Sequence, residues 1–145
     1  MAGDTQNLGN HTRLVPGYHF FALPLGGAFL VWSIIRLVRA PGADTVYMAI
    51  GALALVFGAL YGRLFALQAQ NRVIRLEERM RLARLLPADL QPQAETISGA
   101  QLIGLRFAPD NELVELARKA IANPAMTAKE IKMAVKNWRA DHYRV

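Results

Sequence analysis

Residues 67–86, LQAQNRVIRLEERMRLARLL, carry Arg72, Arg75, Arg79, Arg81 and Arg84 against Glu77 and Glu78, directly after a long apolar run. Ala69, Val73, Leu76, Met80 and Ala83 recur at alternating four- and three-residue steps, a narrow apolar seam on a helix with charged groups over the remaining surface. Glu77 and Arg81 are spaced to pair at i,i+4. No Gly or Pro separates Leu67 from this seam, and the first breaker is Pro87. The helix entering at residue 67 is therefore expected to run on unbroken to that proline. What it runs on from decides where the arginines lie.

Upstream are two apolar runs. Phe20–Ile35, FFALPLGGAFLVWSII, is uncharged, and Thr45–Gly62, TVYMAIGALALVFGALYG, is uncharged as well. A helix needs about 20 residues to cross a hydrocarbon core of about 30 Å. Both runs reach that length if Arg36 and Arg63 snorkel towards headgroups. Apolar residues are 53% of the chain, and too little other apolar mass is present to bury two such helices in a soluble core. The first run follows a mostly polar stretch without a basic leader, so it is expected to be retained as a span rather than cleaved as a signal. Pro24 removes one backbone donor near the start of the first span and is expected to kink it. Tyr18, Phe20, Phe21, Tyr47, Tyr61 and Phe65 stand near span ends, where aromatic rings favour the interface.

The turn between the runs, RAPGAD, is short, so the helices are expected to be antiparallel neighbours with both chain ends on one side. Charge is uneven: residues 1–67 hold four basic and two acidic side chains, residues 68–145 thirteen and nine, within a net +6. The turn offers Arg36 and Arg39, the other side Arg13, Arg63 and the five arginines of residues 72–84. The positive-inside bias then puts both ends in the cytoplasm. Small residues mark packing stripes: Gly58 and Gly62 form GxxxG with Gly51 two turns earlier, and Ala22 and Gly26 are similarly spaced with Ser33 two turns on. These stripes serve either packing within the hairpin or docking of a partner helix. Arg63, Arg72, Arg75 and Arg79 are candidates for lipid phosphate or an acidic partner surface; arginines further from the interface default to a salt-bridged solvent face.

The expected layout is all-α. An N-terminal tail (1–17) leads into a transmembrane hairpin (18–67, spans about 18–38 and 45–67) and a helical extension (68–86). A linker (87–97) and a small helical domain with its tail (98–145) follow. In that domain Ser98 caps GAQLIGLRFA, Asp110 is placed to cap NELVELARKAIA, and Thr127 with Glu130 forms a capping box for AKEIKMAVKNWR, with Met126 and Ile131 as a hydrophobic staple. Leu102, Ile103, Leu105, Phe107, Leu113, Leu116, Ile121, Ile131, Val135 and Trp138 are the expected core, with the long helix as a further wall.

QNRVIRLEERMRL, LIGLRFAPDNEL and KEIKMAVKNWRADHYRV resemble small two-span bacterial membrane proteins grouped as a domain of unknown function. The more specific parts are Leu105–Phe107 and Asn137–Arg139; Gly104 stands where that family favours Ala, and Ala140 where it favours Pro. The resemblance implies the two-span topology and supplies no activity.

Cysteine is absent, which excludes disulfides and thiolate metal sites. His11 and His142 lie outside the spans and His19 stands at the membrane edge of the first, so no haem or pigment ligand sits at mid-bilayer; His19 fits a polar anchor better than an interfacial pigment ligand. No Asp, Glu or Lys lies within either span, against a proton relay. No phosphate-cradling Gly loop, HExxH or GxSxG occurs, and the arginine segment has no interleaved aromatic that nucleic-acid binding would use. The expectation is a non-catalytic accessory subunit of a bacterial inner-membrane complex, photosynthetic or respiratory, contacting other integral membrane subunits and structural lipids without a cofactor or metal of its own. The alternative is a free-standing membrane-anchored adaptor or regulator, a candidate homodimer through its long helix, that recruits a soluble protein or regulates an enzyme.

Overall fold

The computed structural model describes residues 6–10 and 13–141. It is helical throughout, with no strand among those residues, and comprises α1 (Leu23–Arg39), α2 (Ala43–Leu85), α3 (Gly99–Leu105), α4 (Asp110–Ala122) and α5 (Ala128–Ala134). The chain divides into two compact units. One is Arg13–Gln68; the other takes the chain from Ala69 onward together with the N-terminal residues.

In the first unit a π-helical segment, Gly17–Ala22, precedes α1. Leu23 N–H donates to the Tyr18 carbonyl, five residues back. Pro24 has no N–H, and its ring would crowd the carbonyl four residues earlier, so the wider turn takes up the misfit the sequence places there. Between α1 and α2 the Thr45 hydroxyl accepts from Gly42 N–H at 3.0 Å and lies 3.0 Å from the Ala40 carbonyl, closing the turn and capping α2. Both apolar helices are long enough to cross a bilayer, and only 6% of each apolar window is buried inside the protein. Phe20, Phe21, Leu25, Val38 and Leu55 all stand well exposed. An apolar exterior on this scale suits hydrocarbon rather than water.

As the missing breaker predicts, α2 continues without interruption through residues 67–85. Its packing face is not the Ala69 to Ala83 seam. Val73, Leu76 and Met80 are 54%, 61% and 65% exposed, while Ile74, Glu78, Arg81, Leu82 and Leu86 are buried. The helix carries apolar residues on two faces. The buried face is the one that combines the larger aliphatic residues with a charged pair the bundle can satisfy.

That bundle is the second unit. Leu82, Leu86, Leu90, Ile97, Leu102, Leu105, Leu113, Leu116 and Ile131 form its core. Of the expected core, Ile103, Ile121 and Trp138 are half-buried and the rest fully so. The linker is pinned rather than loose. Leu90 and Ile97 are buried at its two ends, with a 3-10 turn, Gln91–Thr96, between them. Ser98 and Gln101 form a capping box on α3, as do Thr127 and Glu130 on α5. Gln101 reaches further: buried, its Nε2 donates to the Asn123 carbonyl at 3.1 Å, tying the start of α3 to the end of α4.

Three helix limits depart from the sequence reading, the first being α3, which stops at Leu105 instead of running on to Ala108. Pro109, extended, precedes α4 without a side-chain cap, and Asp110 is its first helical residue. Asp110 cannot turn back to cap because Arg81 holds its carboxylate, Nε to Oδ1 2.8 Å. α5 stops at Ala134 instead of running through Arg139. There Glu112 accepts from the N–H groups of Lys136 at 2.8 Å and Asn137 at 3.0 Å, donors that a continuing helix would have used internally. The freed strand folds back, and Arg139 N–H donates to the Phe107 carbonyl at 2.8 Å.

Candidate docking surfaces

The small-residue stripes of the two spans behave differently. A Cβ built on Gly26 would lie 3.5 Å from Val56 Cγ2, so Gly26 is part of the contact inside the hairpin. Ser33 and Ala52 are fully buried, and the Tyr18 hydroxyl lies 3.4 Å from the Ala59 carbonyl. Gly51, Gly58 and Gly62 are exposed, and a Cβ on any of them would meet nothing within 4 Å. Their steps of seven and four residues keep them on one face. Ala22 is exposed as well. A flat glycine face on an apolar helix lets another backbone approach closely, the geometry by which helices associate where lipid gives no hydrophobic push.

Arg63 is half-buried, its guanidinium 5.9 Å from the Tyr18 ring centroid, so its charge is carried along an aromatic surface. Arg72, Arg75 and Arg79 are exposed. Arg75 also lies along the start of α3: a Cβ on Gly99 would come within 3.0 Å of its Cδ, so this guanidinium is packed against backbone rather than extended freely. Arg81 pairs not with Glu77 but with Glu78, at 3.1 Å, and with Asp110, at 2.6 Å. Its Nη2 also donates to the Ala108 carbonyl at 2.7 Å. The one cation therefore ties α2 to the α3–α4 corner.

Burial pushes the Glu78 carboxyl above the usual carboxylate range despite Arg81 and Arg139 beside it, whereas the Arg81 hydrogen bond holds Asp110 below it. The two carboxylates share a partner and shift in opposite directions because desolvation is the largest effect at Glu78 and a lesser one at Asp110.

Above this cluster lies an open cleft of about 410 Å³ lined by Arg81, Arg84, Pro109, Asp110, Asn111 and Arg139. Its three guanidiniums against one carboxylate favour an acidic surface. Its lining comes from three stretches far apart in sequence: Arg81 and Arg84, Pro109 to Asn111, and Arg139. Phe107 and Trp138 stack with ring centroids 4.7 Å apart, Arg106 lies 4.5 Å from the Phe107 ring centroid, and Arg106 Nε is 3.5 Å from Asp141. Leu105, Phe107, Leu113, Ile131 and Val135 are buried in the same helical unit.

Sequence reasoning missed Glu78, Asp110 and Gln101 as tertiary contacts. Only Gln101 left a readable signal, the Ser98-x-x-Gln101 spacing.

A helical unit bearing an arginine-lined cleft, with two helices of bilayer length and a bare glycine face on one of them, defines an all-α protein with membrane-compatible helices. The chain belongs to the family described as a family of unknown function (DUF6526), whose model matches residues 1–145. No curated protein and no solved structure matches it.

Proposed function

We propose that this protein is a non-catalytic accessory subunit of a larger assembly in the bacterial inner membrane. The two apolar helices are its multi-pass anchor, and both chain ends lie in the cytoplasm. The observation that carries the reading is the open face at Gly51, Gly58 and Gly62, which the hairpin leaves free for a neighbouring transmembrane helix. Further support comes from Gln6 and Asp141, which exchange two hydrogen bonds: Asp141 N–H to Gln6 Oε1 at 2.9 Å and Gln6 Nε2 to the Asp141 carbonyl at 3.2 Å. That exchange requires residues 6 and 141 to share one side of the bilayer. The positive-inside bias, applied to the arginines of α2 beyond residue 67, favours the cytoplasm for that side. Arg72 and Arg79 then meet lipid phosphates or acidic partner surface, and the cleft at Arg84 and Arg139 takes an acidic element of a partner subunit. The roles assigned are binding and positioning, with structural lipids and no cofactor.

Blue-native electrophoresis of mildly solubilised membranes tests the reading. Migration with a large band, pigmented or haem-containing, is the expected result. Migration as a small dimer instead would overturn it in favour of a free-standing adaptor that recruits a soluble protein.

A further inference from the structure

We infer that residues 69–83 of α2 pair with the same segment of a second copy, as a short parallel two-stranded coiled coil. The inference rests on the reading above only for the parallel orientation that insertion of both copies imposes.

The seam itself is the first observation. Ala69, Val73, Leu76, Met80 and Ala83 follow the four-three spacing of heptad core positions, and all are exposed. The opposite side of the same helix is already committed to the bundle through Ile74, Glu78, Arg81, Leu82 and Leu86. An apolar strip one or two residues wide, bordered on both sides by charge, differs from the all-round apolar exterior a lipid-facing helix presents. It matches the narrow seam of a two-helix coil.

The seam residues also specify the partner. Val73 is a β-branched residue at the first core position and Leu76 follows at the second, the combination that favours two strands in parallel pairs. Across a parallel pair, each residue just before a first core position faces the residue five further along the other helix. Arg72 then faces Glu77 of the second copy, on both sides of the seam. In an antiparallel pair like charges meet in either central register, Arg72 against Arg79 in one and Arg79 and Glu77 each against itself in the other, so the charge order selects parallel copies. One heptad on, Arg79 meets Arg84 with like charge. There the core residue is only Ala83 and α2 ends at Leu85, so pairing fades at that end. Two heptads are marginal for free helices; tethering both copies in one membrane raises their effective concentration enough for such a seam to close.

The chain has no cysteine, so single introduced cysteines report contacts without background. Full-length Val73→Cys, Leu76→Cys and Met80→Cys variants are oxidised in native membranes beside Glu95→Cys, which is exposed but off the seam. Cross-linked dimer several-fold above the Glu95→Cys level is expected at the three seam positions. In the Leu76→Cys background, Arg72→Glu and Glu77→Arg each lower the yield, and the two together restore it. A seam yield no higher than at Glu95, a double variant no better than either single one, or capture of a chain of another mass would each overturn the inference. Seam cross-linking without a large blue-native band removes only the accessory-subunit reading. A large band without seam cross-linking removes only the paired coil.

Discussion

Arg81 and Asp110, 29 positions apart, are joined by two short contacts: Nε to Oδ1 at 2.8 Å and Nη2 to Oδ1 at 2.6 Å. The same guanidinium neutralises the buried Glu78, so it serves one exposed and one buried carboxylate at once. Arg81→Met keeps the apolar stem and removes both pairs. Glu78 is then left buried with only Arg139, at 3.5 Å, nearby. Breaking one side of a buried pair costs about 3–5 kcal/mol. A clear drop in the thermal midpoint, corresponding to that loss, is expected for the full chain in detergent, followed by far-UV circular dichroism. Asp110→Asn, which touches only the exposed partner, is expected to cost far less.

Acid acts on the helical unit in a defined direction. Arg81 holds the Asp110 carboxyl below its ordinary value, the Lys136 backbone N–H does so for Glu112, Lys119 for Glu115 and the Thr127 backbone N–H for Glu130. A depressed acid contributes stability that is present above its unfolded value and is lost as pH falls through its folded value. Glu78 has the opposite sign: its raised folded value makes protonation favour the folded state, and it protonates before the others. The thermal midpoint is therefore expected to stay nearly level from neutrality to about pH 4.5 and to fall steeply below about pH 4. Glu112→Gln is expected to lower the neutral plateau and shallow the acid limb; a limb of unchanged slope would show that Glu112 contributes nothing to it.

The glycine face separates docking from folding. Because nothing lies within 4 Å of a Cβ at Gly58 or Gly62, Gly58→Leu with Gly62→Leu is expected to leave helix content and membrane retention unchanged. Co-purification with a partner assembly is expected to fall sharply. Undiminished co-purification would remove that face from the account.

Gly104 has the reverse property. A Cβ there would sit 3.0 Å from the Ala128 carbonyl oxygen and 3.1 Å from Ile131 Cβ, so α3 and α5 touch through this residue. Leucine in its place must push the two helices apart. Overpacking of this kind costs about 1–3 kcal/mol, against a gain in helix propensity of about 1 kcal/mol over glycine. Net destabilisation in urea unfolding, with a lowered midpoint, is the expected outcome.

Much of this architecture is legible residue by residue. The bilayer-length runs, the unbroken passage from Leu67 towards Pro87 and the caps at Ser98 and Thr127 are local signals, and all recur in the structure. The errors share one cause. Ala69 to Ala83 form the most regular apolar seam in the chain, yet the bundle packs on Ile74, Leu82 and Leu86, because only that face brings Arg81 to Asp110. Asp110 was readable as a cap and α5 as running through Arg139 for the same reason: neither Arg81 nor Glu112 announces a partner more than twenty positions away. Periodicity reports which faces are apolar. It does not report which of two apolar faces a distant ion pair will select.

The two hydrogen bonds between Gln6 and Asp141 also bear on biosynthesis. Residue 6 leaves the ribosome long before residue 141 exists, so it stays without this partner while the intervening helices are made. Closure is then among the last steps of maturation.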